Sequence, residues 1–99
     1  MDIQHSHTPK GGMFYIGDPA APTAEMVYRM EGEHTMIIDH TEVDDIHKGE
    51  GIGKLLVTKA VDYARQHQIM IRPACSFARS IFKKTKEYED VYIPYIKEA

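Results

Sequence analysis

Lys48-Gly49-Glu50-Gly51-Ile52-Gly53 sits where an extended apolar stretch ends and the long amphipathic stretch of the chain begins. Upstream, Met36-Ile37-Ile38-Asp39-His40-Thr41-Glu42-Val43 reads as a strand; downstream, Ile52, Leu55, Leu56, Ala60, Tyr63 and Ala64 recur at helical spacing. The glycines between them permit positive φ and close approach of backbone to a ligand. The first N–H groups of the helix open into the same space, where the helix dipole favours an anion. The junction is a candidate phosphate cradle, with Lys48 and Lys54 adding local positive charge; the plainer reading is a flexible glycine connection. A carboxylate at a helix N-terminus competes for the same dipole, so Glu50 is expected to point away into solvent.

Two common phosphate loops do not fit. A P-loop needs glycine where Lys48 stands and Ser or Thr where Leu55 stands. A dinucleotide fingerprint needs its third glycine at Lys54 or at Leu56, depending on where it starts. What remains is a basic or amide residue, two spacers, Gly, one spacer, then Gly or Ala, between a strand and a helix. This resembles the pyrophosphate loop of the GCN5-related N-acetyltransferases. The resemblance runs from Met36 to Tyr92 and includes His40-Thr41-Glu42-Val43, the glycine loop, Asp62-Tyr63-Ala64-Arg65, Cys75-Ser76-Phe77 and Tyr88-Glu89-Asp90. Together these resemble the short, single-domain acetyl-CoA-binding branch of that superfamily. Lys48 stands where Arg or Gln is more usual, a change that a site made of backbone amides tolerates.

The chain has 99 residues, one domain's worth, and a domain of this size buries somewhat above ~60% of its unfolded surface. Residues 1–9 are expected to be a mobile lead-in and residues 10–99 the domain. His5 and His7 lie in that lead-in without a third ligand nearby, and no metal site is assigned. Gly12 to Ile16 reads as a strand closed by Gly17-Asp18-Pro19, and Ala24 to Met30 as a half-buried strand ending in the turn Glu31-Gly32-Glu33. With Met36 to Val43 these make a three-stranded antiparallel meander. A helix over 51–67 then crosses to a fourth strand, Ile69 to Ala74, which must run parallel to the third. Cys75-Ser76 opens a second short helix over 77–84, with Phe77, Ala78, Ile81 and Phe82 on one face. Tyr88 to Tyr95 either adds a last strand or simply packs, and Pro94 argues against a central strand. The expected class is α/β with a mixed sheet.

The resemblance implies more. The third and fourth strands should splay, with the pantetheine of acetyl-CoA (coenzyme A) in the gap, bonded to main chain near Glu42 and Val43. Val43, Lys48, Gly49, Glu50, Gly51, Ile52, Gly53 and Lys54 are then the cofactor-binding candidates. Arg79 and Lys83, one turn apart on the second helix, either meet the adenosine phosphates or form a solvated face. Acetyl transfer to an amine needs a base, an N–H for the oxyanion and a proton for the leaving thiolate. Alternation along the third strand puts His40 and Glu42 together with Ile38, unless a bulge shifts the phase. They are base candidates or, alternatively, a structural hydrogen-bonding pair. Family members commonly carry Asn, then Ala three residues on, then Tyr four beyond; here the register is Cys75, Ala78, Phe82, so the tyrosine acid is missing. Cys75, at a helix N-terminus where a thiolate is stabilised, is left as a relay or as plain packing.

The reading is a small acetyl-CoA-dependent N-acetyltransferase acting on an unidentified amine. The alternative is an acetyl-CoA-binding module without turnover, in keeping with the missing tyrosine and an acceptor side shorter than in larger relatives. A net charge of −3 and a pI near 6.0 give no general attraction to nucleic acid or to an anionic membrane. Met1 to Lys10 lacks the apolar run of a signal peptide, no stretch approaches ~20 apolar residues, and the single cysteine forms no internal disulfide. A cytoplasmic protein is expected.

Overall fold

The computed structural model of the protein describes residues 2–94. Five strands form one sheet in sequence order: β1 (Gln4–Thr8), β2 (Gly11–Asp18), β3 (Ala21–Glu31), β4 (Thr35–Val43) and β5 (Met70–Pro73). The first four are antiparallel neighbours, and β5 joins β4 in parallel after the crossover helix α1 (Ile52–His67). A second helix, α2 (Ser76–Lys84), follows β5. The expected meander, crossover helix, parallel last strand and short second helix are all present. No helix among the described residues is long and apolar enough to cross a membrane.

The meander has one strand more than expected. Residues 4–8 are not a lead-in but the edge strand β1, paired with β2 from Gln4↔Tyr15 to Thr8↔Gly11. Their polar composition hid this, because an edge strand exposes most of its side chains. What holds it is His5. Its ring stacks on Phe14 with centroids 4.1 Å apart, meets the edge of Tyr63 at 4.6 Å, and its Nε2 shares a hydrogen bond with the Tyr28 hydroxyl at 2.6 Å.

The core lies between one face of the sheet and the two helices. Ala24, Met26 and Tyr28 alternate inward along β3, as their spacing predicts, and meet Phe14 and Ile16 of β2 and Met36 and Ile38 of β4. The buried stripe of α1 is Ile52, Leu56, Val57, Ala60, Val61 and Ala64, and Ala78, Ile81 and Phe82 of α2 complete the cluster. Leu55, expected on that stripe, is 46% exposed. The tail beyond α2 packs beside β5: Ile71 N–H donates to Val91 O at 2.6 Å and Ile93 N–H to Ile71 O at 2.8 Å. It makes an isolated bridge, Ile71↔Tyr92, rather than a strand, and Tyr95 lies outside the described residues. Arg65 fixes this tail through both oxygens of Asp90 at 2.9 Å, and Thr58 through the Tyr88 hydroxyl at 2.7 Å. Two short motifs far apart in sequence, around Arg65 and around Tyr88, thus meet on one helix face.

Burial, followed by the charges of His7 and His67, lowers the His5 imidazole from 6.5 to about 4. The folded protein therefore binds the His5 proton less tightly than the unfolded chain does, and stability contributed above pH 6.5 is lost as the pH falls toward 4. His5→Gln keeps a polar group for Tyr28 and removes this titration. Urea unfolding between pH 7 and pH 4.5 is expected to show a shallower acid loss of stability in the variant than in the parent. Equal slopes would place the acid sensitivity elsewhere.

Candidate functional site

The site begins with the way β4 leaves β5. Their ladder runs only from Thr35↔Met70 to Ile38↔Pro73. The Ile38 carbonyl then accepts from both Ala74 N–H at 2.9 Å and Cys75 N–H at 3.0 Å, which turns the chain out of the sheet into α2. From Asp39 to Val43, β4 has no ladder partner on its β5 side. The two strands part as expected, although β5 is so short that the far wall of the gap is the start of α2.

A β-bulge acts at the same point. His40 lies opposite Val27 and Ile38 opposite Tyr28, so Asp39 is the extra residue. The simple alternation over Met36 to Val43 therefore fails: Ile38 is in the core, whereas His40 and Glu42 are exposed and lie across from Val27 and Glu25 on the other face. They remain together, with Nε2 of His40 at 3.2 Å from Glu42 Oε2 and 3.8 Å from Glu25 Oε1. Thr41, between them, faces the helices, and its Oγ1 lies 3.4 Å from Cys75 Sγ across the gap. Cys75 is the N-cap of α2, its half-buried sulfur accepting from Ala78 N–H at 3.4 Å. The three residues named for chemistry are thus split between two faces of the sheet.

Beyond Val43 the chain makes a short 3₁₀ turn, Asp45–His47, capped by Asp44, and enters the glycine loop. Gly49 and Gly51 take φ of +83° and +69°, which a side chain adopts only under strain. A Cβ at either position would meet nothing within 4 Å, so the backbone is open on that side. Gly51 is the N-cap and brings no side-chain bond; the first intrahelical bond runs from Leu55 N–H to Gly51 O at 3.1 Å. The preceding N–H groups project from the helix end. Gly53 is needed for a different reason: a Cβ there would stand 2.4 Å from the Phe77 ring, which is 42% exposed and leans over the loop.

These pieces enclose a groove of about 450 Å³ lined by Val43, Lys48, Gly49, Gly51, Ile52, Gly53, Lys54, Phe77 and Ile81, together with Asp44, Asp45 and His47. It brings together every expected cofactor-binding residue except Glu50, Arg79 and Lys83. Glu50 does not simply face solvent; its Oε1 lies 3.0 Å from His47 Nδ1. Arg79 is half-buried and donates from Nη2 to Ala74 O at 2.7 Å, and Lys83 is exposed. Phe82, in the register of the missing tyrosine, is 2% exposed and stacks on Tyr92 at 5.2 Å. No metal ligand was expected from the sequence; on that face Glu25, His40 and Glu42 place three potential ligand atoms within 4.8 Å of one another.

Residues 13–91, which carry this strand, loop and helix, match the family described as GCN5-related N-acetyl-transferase. The chain belongs to this family. A GCN5-like protein of Staphylococcus aureus, solved by NMR, is 35% identical and superposes with a TM-score of 0.75 over 96% of this chain and 90% of its own. A ribosomal-protein-alanine N-acetyltransferase of Brucella melitensis shares the fold at 15% identity, with a TM-score of 0.58 over 93% of this chain and 68% of its own. Protein NATD1 of Xenopus tropicalis is 30% identical over 61 residues, 62% of this chain and 56% of that protein. Its Gallus gallus counterpart is 26% identical over 83 residues, 83% of this chain and 76% of that protein.

Within this GCN5-related fold, sequence reading missed Thr23, Glu25, Thr41 and His47. Only His47 had a local signal, its i,i+3 spacing to Glu50; the others reach the site through strand pairing. The glycine geometry makes a direct prediction. Gly51→Ala should cost about 1–2 kcal/mol in chemical denaturation, because it forces a side chain into the left-handed region. Gly53→Ala should stay within about 1 kcal/mol of the parent, since the gain in helix propensity offsets the displacement of a half-exposed ring. Equal costs would mean that backbone conformation does not set the requirement for glycine at 51.

Proposed function

We propose that this protein binds acetyl-CoA, with the diphosphate on the backbone of residues 48–54 and the pantetheine in the gap beside Val43, and transfers the acetyl group to an amine. The single observation that carries the reading is the open cradle. Positive-φ glycines with no side chain above them, a helix N-terminus and two lysines converge on one end of the groove whose other wall is Phe77 and Ile81. This fits a ligand anionic at one end and apolar further along. Bound acetyl-CoA supplies an acetyl group activated as a thioester.

The chain's own residues divide the remaining work. Gly51, Ile52, Gly53 and Lys54 present N–H groups to the diphosphate, and Phe77 keeps water off the groove. Glu42 is the candidate base for the acceptor's ammonium proton, oriented by His40 at 3.2 Å. Cys75, held by Thr41 and the Ala78 N–H, is the candidate proton relay on the other side of the sheet. A cytoplasmic location is part of this reading, supported by the single thiol, Cys75, which is half-buried and forms no internal disulfide. A second reading, a binding module without turnover, is favoured by Phe82, which is buried among aromatics and has no proton to give, and by the separation of Cys75 from the His40–Glu42 pair.

Coenzyme A is expected to raise the melting temperature, since a ligand at a hundredfold excess over Kd adds about 2.7 kcal/mol. Gly51→Asp should abolish the shift, and Lys48→Ala should only reduce it. An unchanged melting curve at millimolar acetyl-CoA would overturn the cofactor reading. Turnover is tested separately by thiol release from acetyl-CoA with and without amine acceptors. Cys75 is tested by its alkylation rate against pH with and without coenzyme A. A relay thiol is expected to react below its unperturbed pKa of ~8.5 and to be shielded by the ligand. A thiol inert at pH 7, with activity kept in Cys75→Ala, would leave it as packing.

A further inference from the structure

His47 is a buried titratable side chain that the proposed chemistry does not use, 9% exposed at the base of the glycine loop. Its ring bonds in two directions. Nδ1 lies 3.0 Å from Glu50 Oε1, inside the loop, and Nε2 lies 2.8 Å from Thr23 Oγ1, on β3. An ionised Glu50 only accepts, so Nδ1 carries the proton and donates it. Nε2 then accepts from the Thr23 hydroxyl when the ring is neutral. When the ring is charged it donates instead, and Thr23 turns its own proton to Ile16 O at 3.4 Å. Both states keep every group bonded, and both tie the loop to the sheet. A main-chain bond from Asp44 N–H to Thr23 O at 2.8 Å anchors the same corner.

The bond also decides where a negative charge goes. Glu50 immediately precedes the N-cap Gly51, where its carboxylate would compete with a diphosphate for the same N–H groups and helix dipole. His47 draws that carboxylate away from the groove lining, from which Glu50 is absent although its neighbours Gly49 and Gly51 are present.

We propose that His47 is a positioning residue for the anion cradle: bonded to Thr23 and Glu50 at once, it fixes the glycine loop to β3 and holds the Glu50 carboxylate off the helix mouth. This inference rests on the diphosphate reading of the loop, but its first consequence is visible without ligand. The order hydroxyl, imidazole, carboxylate is also that of a hydrolytic triad. Here its two ends lie on separate pieces of chain that must be joined, which is the demand on a latch.

The test uses the whole chain and four variants. Amide hydrogen exchange at Lys48 and Glu50, whose N–H groups donate to Asp45 O and His47 O within the loop, is expected to rise at least tenfold in the ligand-free protein in both His47→Phe and Thr23→Val, the second of which alters no group in the groove. Coenzyme A affinity, by calorimetry, should fall about tenfold in His47→Phe, while affinity for pantetheine, which lacks the diphosphate, stays within twofold. Glu50→Gln in the His47→Phe background should restore most of the loss, because there is then no carboxylate to hold away. His47→Gln, which can donate to Glu50, should fall between. Unchanged loop exchange in both His47→Phe and Thr23→Val would overturn the latch, as would equal losses for coenzyme A and pantetheine. Acetylation of Thr23 on incubation with acetyl-CoA would overturn it in favour of a triad. Loop exchange that rises as expected in a protein that binds no coenzyme A would sink the cofactor reading alone.

Discussion

The Ile38 carbonyl takes two N–H donors where a parallel ladder would give it one. By accepting from Ala74 and Cys75 together, at 2.9 and 3.0 Å, it ends the pairing of β4 with β5 after four residues and sends the chain into α2. Everything at the site follows from that stop. β4 runs on through Val43 paired only with β3, α2 starts opposite it, and Cys75 becomes a helix cap facing Thr41. Had the ladder continued, the backbone groups of Asp39 to Val43 would be paired with β5 and no groove would lie between strand and helix.

The bulge at Asp39 works on the same five residues from the other side. It keeps Met36 and Ile38 in the core while turning His40 and Glu42 outward and Thr41 inward. One strand thereby offers a hydroxyl to the helix face and an imidazole–carboxylate pair to the opposite face. The price is an unpaired residue in the ladder, covered at Asp39 by Arg29 at 2.9 Å. Exposed as that pair is, it adds little stability. Bulges commonly re-aim side chains beside functional sites, and this one puts Thr41 and the His40–Glu42 pair on opposite faces of the sheet.

Much of this was legible in the chain itself. The 3.6 period over Ile52 to Ala64, the alternation over Ala24 to Met30, and the glycine spacing at 49, 51 and 53 are local signals, and each gave the element found there. The glycines differ in kind, however. At 49 and 51 the demand is a positive φ, whereas at 53 it is the Phe77 ring, and sequence spacing cannot tell these apart.

What the sequence determined by itself was the order and type of the elements from β2 to α2 and the glycine spacing of the loop, because periodicity and glycine act over a few residues. What only the tertiary structure decided was whatever depends on pairing. β1 is a strand because His5 finds Phe14, Tyr28 and Tyr63, none of them within eight residues of it. The face of Glu42 depends on one unpaired residue in the register with β3, and a shift of one residue flips every side chain beyond it. Thr23 reaches His47 across 24 positions of sequence, a contact that no local pattern encodes.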